Sequence, residues 1–318
     1  MRIVSLLPSA TEIICALGLR DQLVGVSHEC DFPADVQGLP KVTASAINKN
    51  QSSLQIDQQV REQLQTSTAL YMLDIELLET LKPDLIITQA LCDVCAVSAE
   101  DVESAICRLP TNPAIINLEP VSLTDVVTTI RKVGAATQHQ QQAEALITDM
   151  MTRKSRVETA CKTGGGRPRV ACLEWLDPPF NAGHWTPELV TFAGGTSVTG
   201  QSHQPSTTMI WQDVIAAQPD ILFIACCGYS IERTLADLPV LTAEPALREL
   251  PFWKNNRIYV TDGNHYFNRP GPRLIDSLEI LAHALHGEKV RLPDHLSPAI
   301  HIDTQTLIDE YPAHPAHN

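Results

Sequence analysis

Leu77–Leu78–Glu79–Thr80–Leu81–Lys82–Pro83–Asp84–Leu85–Ile86–Ile87 reads as the end of a helix, a Pro-Asp turn and a short apolar strand. The pattern returns at Val214–Ile215–Ala216–Ala217–Gln218–Pro219–Asp220–Ile221–Leu222–Phe223–Ile224. Proline stops each helix because it has no N–H to give the ladder, and aspartate favours the turn into a buried strand. Chemically dense sequence follows both strands: Gln89–Ala90–Leu91–Cys92–Asp93–Val94–Cys95 in one case, Ala225–Cys226–Cys227–Gly228–Tyr229 in the other. A chain of two like α/β lobes, each with reactive residues past its strand ends, is expected to place a ligand between the lobes.

Working outward, Arg2–Leu7 reads as the first strand, with Ser9 capping a helix over Ala10–Leu17 that Gly18 ends. Strand Leu23–Ser27, helices Ser53–Gln65 and Ile75–Leu81, strand Asp84–Thr88, helix Ala99–Arg108 and strand Ala114–Leu118 follow. From Ser122 to about Thr159 there is no proline, and Gly134 is the single glycine. Val126, Ile130, Val133, Ala143, Leu146, Ile147 and Met150 keep a helical period there, which predicts one helix of about ten turns, with Gly134 its weak point. Gly164–Gly165–Gly166 then releases the chain into strand Arg169–Leu173 and the loop Glu174–Phe180. Further on come helix Pro187–Phe192, a loop over Thr196–Thr208, strand Arg257–Val260, loop Asp262–Pro272 and helix Arg273–His286. The expected class is α/β, with mostly parallel sheets in two lobes joined by one long helix. Its expected divisions are an N-terminal lobe at 1–120, the linking helix at 121–160, a second lobe at 161–288 and a tail at 289–318.

The 318 residues, 44% of them hydrophobic, suffice for two cores. A formal net charge of −14 argues against nucleic acid and against a polybasic membrane-binding face. No apolar run approaches the roughly 20 residues needed to span a bilayer, so a membrane-embedded chain is not expected. The opening Met1–Arg2–Ile3–Val4–Ser5–Leu6–Leu7–Pro8 is too short an apolar stretch for a signal-peptide core. A cytoplasmic location is therefore expected, or a periplasmic one if a leader was removed. Nine cysteines, an odd number, fit reduced thiols better than a disulfide framework. Cys15, Cys107 and Cys172 sit in apolar periodic segments and read as core.

Six loops fall at strand carboxyl ends: Pro8–Ser9, His28–Glu29–Cys30, Gln89–Cys95, Glu174–Trp185, Cys226–Tyr229 and Asp262–Phe267. They contain Trp175, Trp185, Tyr229 and Tyr266, with Phe180 and His184 in the same stretch as the tryptophans. Because only 5% of the chain is aromatic, this concentration favours a flat, largely apolar ligand, although any one ring alone serves equally to plug an interface. Cys92-x-x-Cys95 supplies two thiolates, whereas a tetrahedral site needs about four ligands. Cys30, Cys226, His28 and His184 would complete it, which keeps a transition-metal protein or metal-dependent enzyme as the rival reading. No G-x-S-x-G elbow, P-loop, G-x-G-x-x-G or H-E-x-x-H is present, and catalysis is not expected.

Arg2–Ile3–Val4–Ser5–Leu6–Leu7–Pro8–Ser9–Ala10–Thr11–Glu12, the Leu81–Ile87 unit and the predicted linking helix resemble the cobalamin-binding and iron-siderophore solute-binding proteins of ABC importers. The resemblance runs from Arg2 to about Gly287. It implies two Rossmann-like lobes and a non-catalytic protein that binds a corrinoid, cobalamin above all, with haem or a ferric siderophore as alternative ligands. By position, Pro8, Ser9, Trp175, Trp185, Tyr229 and Tyr266 would inherit the ligand contacts. His28, Cys92, Phe180, His184 and Arg269 lie in or beside the same loops, and Arg269 with Arg273 is the pair suited to an anionic siderophore. Importer-associated members also present one acid per lobe to permease arginines. Glu76 matches the first position; the second aligns with Gln212, leaving the adjacent Asp213 as its substitute. The implied partner is an ABC permease, or a cytosolic protein that receives cobalamin.

Overall fold

The computed structural model describes residues 1–45, 47–48, 51–66, 70–89, 109, 112–162 and 166–311. Two compact units result: Met1–Asp149 with Pro270–Pro272, and Met150–Arg269 with Arg273–Asn318.

The first unit is built on a parallel sheet of order β2-β1-β5-β6. Its strands are β1 (Ile3–Ser5), β2 (Leu23–Val26), β5 (Leu85–Thr88) and β6 (Ala114–Asn117). A two-stranded antiparallel ribbon, β3 (Thr43–Ser45) with β4 (Tyr71–Leu73), lies outside that sheet. Helices α1 (Pro8–Ala16), α2 (Ser53–Thr66) and α3 (Ile75–Leu81) connect the strands. Val4, Leu6, Val42, Leu78, Leu81, Ile86 and Leu109 form one buried cluster. Gly25 permits its closeness, since a Cβ there would lie 2.7 Å from Leu81 Cδ1 and 2.9 Å from Val42 Cγ1.

The second unit carries a mixed sheet of order β12-β11-β10-β7-β8, with β9 (Thr196–Ser197) also on β7. β7 (Arg169–Leu176), β10 (Ile221–Ile224) and β11 (Ile258–Val260) are parallel, while β8 (Pro179–Asn181) and β12 (Ile300–Ile302) run antiparallel to their neighbours. Around them are α6 (Thr186–Phe192), α7 (Trp211–Ala217), α8 (Ile231–Asp237), α9 (Pro239–Thr242), α10 (Pro251–Lys254), α11 (Leu274–His286) and α12 (Thr304–Glu310). Among the described residues no helix is long and apolar enough to cross a membrane.

The duplicated Pro-Asp unit repeats down to single hydrogen bonds. α3 ends at Lys82 and α7 at Gln218, both left-handed with φ of 47° and 44°. The Asp84 carboxylate then accepts the N–H of Arg2 at 2.7 Å, and Asp220 accepts that of Arg169 at 2.8 Å. Each arginine in turn donates to carbonyls at the preceding helix end: Arg2 Nε to Leu81 O, Arg169 Nη2 to Ala217 O. One arginine thus ties the start of a strand to the end of a helix in both units.

Four expectations need correction. α1 begins at Pro8, and no side chain caps it; Pro8 occupies the first turn, where its missing N–H costs nothing, so Ser9 lies inside the helix. The single helix over 122–159 is two: α4 (Leu123–Ala136) and α5 (Gln140–Cys161). Gln138 turns left-handed at φ 62°, while His139 N–H bonds Gly134 O at 2.7 Å and Gln138 N–H bonds Ala135 O at 3.2 Å. This is a Schellman-type helix end, reached without glycine at the left-handed position. Loop Glu174–Phe180 is instead the turn of the β7–β8 hairpin, because β7 runs on to Leu176. The tail also contributes β12, paired with β11. The helix expected over Ala99–Arg108 lies outside the described residues.

Candidate functional site

In the first unit, the chain leaving β1 enters α1 through a chain of hydroxyls. Ser5 Oγ donates to Leu7 O at 2.9 Å, Thr11 Oγ1 donates to Ser5 Oγ at 2.8 Å, and Cys30 Sγ lies 3.1 Å from Thr11 Oγ1. Ser9 is buried and Pro8 partly exposed at this strand end. Past β2, His28 is held on several sides. Its Nδ1 is 2.7 Å from Thr43 Oγ1, its backbone N–H donates to the same oxygen, its Nε2 is 3.1 Å from Glu29 Oε1, and its ring tilts on Tyr71 at 5.0 Å. Past β5, Gln89 is buried; Cys92 and Cys95 lie outside the described residues.

In the second unit, the carboxyl ends of β7, β10 and β11 gather the aromatic residues. Trp175 is the penultimate residue of β7, anchored by its indole N–H on Asp177 O at 3.1 Å, and its ring meets Tyr229 at 4.7 Å. Tyr229, after β10, is backed by Arg233, whose guanidinium lies 4.4 Å over the ring while Nη1 donates to Asp237 at 2.6 Å. Sequence reasoning missed Arg233, although its spacing of four residues from Asp237 on α8, just past Tyr229, was its signal. Gly263 fixes how closely the β11 loop approaches this place, since a Cβ there would sit 2.0 Å from Cys226 O. The same loop presents Tyr266, with the Arg273 guanidinium 5.6 Å from its ring, and His265.

His265 is oriented by Asp262, which accepts its backbone N–H at 2.7 Å and faces its Nδ1 at 2.9 Å. Burial raises the Asp262 pKa, but these bonds outweigh it, and the carboxyl titrates below its ordinary value. Arg269 is buried, with Nη2 donating to Asn264 Oδ1 at 3.0 Å.

Two of the expected contact residues are spoken for inside the unit. Trp185 is 6% exposed and its indole N–H donates to Phe267 O at 2.5 Å. His184, stacked on Trp185 at 5.4 Å, is left-handed at φ 50°, and burial lowers its pKa. The segment Gln201–Thr207 is fastened alongside: His184 N–H donates to Gln204 O, and the Thr207 N–H to Asn181 Oδ1. Phe180 is partly exposed on β8.

Of the candidate metal ligands, Cys226 is buried, and burial pushes its thiol well above the ordinary value despite the Thr234 hydroxyl. The thiolate is the metal ligand, and burial disfavours that form at Cys226. Cys227 beside it is exposed. Among the described residues no three His, Cys, Asp or Glu side chains are grouped to hold a metal ion. Glu76 and Asp213 are exposed acids in the first turns of α3 and α7; Asp213 Oδ2 also accepts the Ile210 N–H at 3.1 Å.

The family model described as periplasmic binding protein matches residues 3–264. A vitamin B12-binding protein of Vibrio cholerae serotype O1 is 24% identical over 282 residues, covering 87% of this chain and 86% of that protein. Among solved structures, the periplasmic vitamin B12-binding protein BtuF of Vibrio cholerae superposes with a TM-score of 0.64 at 23% identity, over 89% of this chain and 96% of that one. A periplasmic heme-binding protein from Pseudomonas aeruginosa reaches 0.71 at 19% identity, over 95% and 99%. At these identities the two superpositions establish the fold.

Proposed function

We propose that this chain, which belongs to the periplasmic binding protein family, binds a corrinoid without turning it over and hands it to an ABC permease outside the cytoplasmic membrane. The observation that carries the ligand class is the aromatic group at the strand ends of the second unit. Trp175 and Tyr229 meet at 4.7 Å, and Tyr266 sits on the next loop. Such rings offer broad apolar area at little cost in side-chain entropy, which suits a large flat macrocycle. The relatives named for vitamin B12, matched along most of this chain, favour cobalamin within that class.

Titration of the purified protein with cyanocobalamin and hydroxocobalamin, read by tryptophan quenching and calorimetry, is the direct test. Stoichiometric binding is expected, and no binding of either at roughly tens of micromolar, an affinity of about −6 to −7 kcal/mol, overturns the corrinoid reading. Haem is the second reading, favoured by the half-exposed His265, an imidazole oriented by Asp262 on the loop that carries Tyr266. A Soret shift on adding hemin, with no response to either cobalamin, would replace the first reading by this one. A ferric siderophore is less well served, because Arg269 is buried and already bonded to Asn264.

A permanent metal centre, which would need Cys92 and Cys95, is tested by elemental analysis after purification without chelators. Glu76 and Asp213 are the docking acids of this proposal. Replacing both by lysine should abolish permease-dependent uptake while leaving the cobalamin titration unchanged.

A further inference from the structure

The amino ends of β7, β10 and β11 lie at the other end of the sheet from the aromatic loops. A depression of about 420 Å³ there is lined by Arg167, Arg257, His286, Lys289, Asn255 and Asp220. Helices α6 and α11 both terminate beside it, and a helix end carries unsatisfied carbonyls and the negative pole of its dipole. Part of the positive charge answers to those carbonyls. Arg167 Nη2 donates to Gly195 O at 3.0 Å and Thr191 O at 3.3 Å, Arg257 Nη2 donates to Leu285 O at 2.7 Å, and His286 Nε2 is 2.7 Å from Ala193 O.

Capping leaves donors over. Lys289, exposed on the turn after α11, has no side-chain partner among the described residues, and neither has the Asn255 amide. Arg257 engages a single guanidinium nitrogen, so the rest of its planar fork is uncommitted. The acid in the lining, Asp220, is occupied with the Arg169 N–H. Three cations against one carboxylate make a locally positive hollow in a chain whose net charge is −14. Such a reversal of sign attracts and concentrates anions.

We propose that this hollow binds a phosphate-bearing small molecule, its phosphoryl oxygens taken by Arg257, Arg167 and Lys289. Guanidinium forks match phosphoryl oxygens in pairs, and the ammonium adds a point charge. The volume falls within the range of about 300–1,000 Å³ typical of small-molecule sites, more than one oxyanion fills. The occupant therefore has an organic body beside its phosphate, with Asn255 available to hydrogen-bond it.

The test is calorimetric titration of the full chain, at constant ionic strength, with adenosine monophosphate, pyrophosphate and inorganic phosphate. Adenosine monophosphate should bind saturably and more tightly than inorganic phosphate. Lys289→Glu should weaken it at least tenfold, Lys289→Ala by less, and Lys82→Glu in the first unit should leave it unchanged. Absence of saturation by every probe up to about 10 mM, an affinity near −3 kcal/mol, overturns the proposal. So does equal binding of the nucleotide and inorganic phosphate, or a loss as large in Lys82→Glu as in Lys289→Glu.

Discussion

Arg153 grips Glu279 with two parallel bonds, Nε to Oε1 at 3.1 Å and Nη2 to Oε2 at 2.5 Å. The same Nη2 also donates to Asp276 Oδ1 at 2.5 Å. These three charges lie between α5 and α11, with side-chain exposures of 19%, 10% and 11% for Arg153, Glu279 and Asp276. Burial alone would lower the arginine's pKa, yet the two carboxylates raise it, so the cation persists at any working pH. Apart from Ser277, the rest of the buried face of α11 is apolar, and its two acids are tolerated because α5 brings them this partner.

Arg153→Ala should therefore destabilise the chain by about 3–5 kcal/mol, the usual cost of leaving buried charge without its partner. Replacing the triad together, as Arg153→Met with Asp276→Leu and Glu279→Leu, should cost far less or nothing. Urea denaturation of the two variants decides. If the single substitution were as mild as the triple one, the triad would not be holding α5 to α11.

The two tryptophans separate contact from scaffold. Trp175→Ala should weaken cobalamin binding at least tenfold with a modest change in stability, because its ring stands at a strand end and is partly exposed. Trp185→Phe should cost about 2 kcal/mol of stability through the lost bond to Phe267 O and the void left behind. Its effect on affinity should be small once the protein is folded. Denaturation midpoints and ligand titrations on both variants check the division, and a large affinity loss in Trp185→Phe with unchanged stability would reverse it.

What the sequence showed of this fold was its local grammar. Pro83–Asp84 and Pro219–Asp220 marked helix ends and strand starts correctly, because a proline and the residue after it act within a few positions. The arginines that tie each unit together, Arg2 to Asp84 and Arg169 to Asp220, are 82 and 51 residues from their partners, and no local rule points to them. The break at Gln138 was hidden for another reason: a left-handed helix end normally announces itself by glycine or asparagine, and here glutamine takes that conformation. The periodicity of strands and helices placed His28–Cys30, Cys226–Tyr229 and Asp262–Phe267 just after strands, where the structure also has them. Whether a ring in such a loop points out, as Trp175 partly does, or in, as Trp185 does, depended on the distant Phe267 carbonyl.

Asp262 gives a pH signature. Its carboxyl is buried, which raises its pKa, but the bonds from His265 and Asn264 outweigh this and the net shift is downward. A carboxyl with a depressed folded pKa contributes stability above its unfolded value, about 3.9. That contribution is lost as pH falls through the lower folded value. Asp262→Asn should thus lower stability near neutral pH by about 1.5–3 kcal/mol, as expected for hydrogen bonds to a charged group. The gap between variant and parent should close once the pH lies below the folded value. Thermal melts across acid pH measure it, and a gap that does not narrow would mean that the charge on Asp262 is irrelevant to the loop.

Gly134 offers the sharpest packing test. In a continuous helix it would be a mild defect, and alanine there would stabilise the chain by up to about 1 kcal/mol. In the observed corner a Cβ at this position would lie 2.6 Å from Ala143 Cβ and 3.2 Å from His139 O. Neither neighbour is the far end of a flexible side chain, so α4 and α5 would have to move apart. Overpacking of this kind costs about 1–3 kcal/mol, and Gly134→Ala should therefore destabilise. The same reasoning makes Gln138→Gly neutral or slightly stabilising, since glycine adopts a φ of 62° without strain but adds entropy to the unfolded chain. Denaturant midpoints of the two variants settle the geometry of the corner. A stabilising Gly134→Ala would mean that the helix runs unbroken through residues 137–139 in solution.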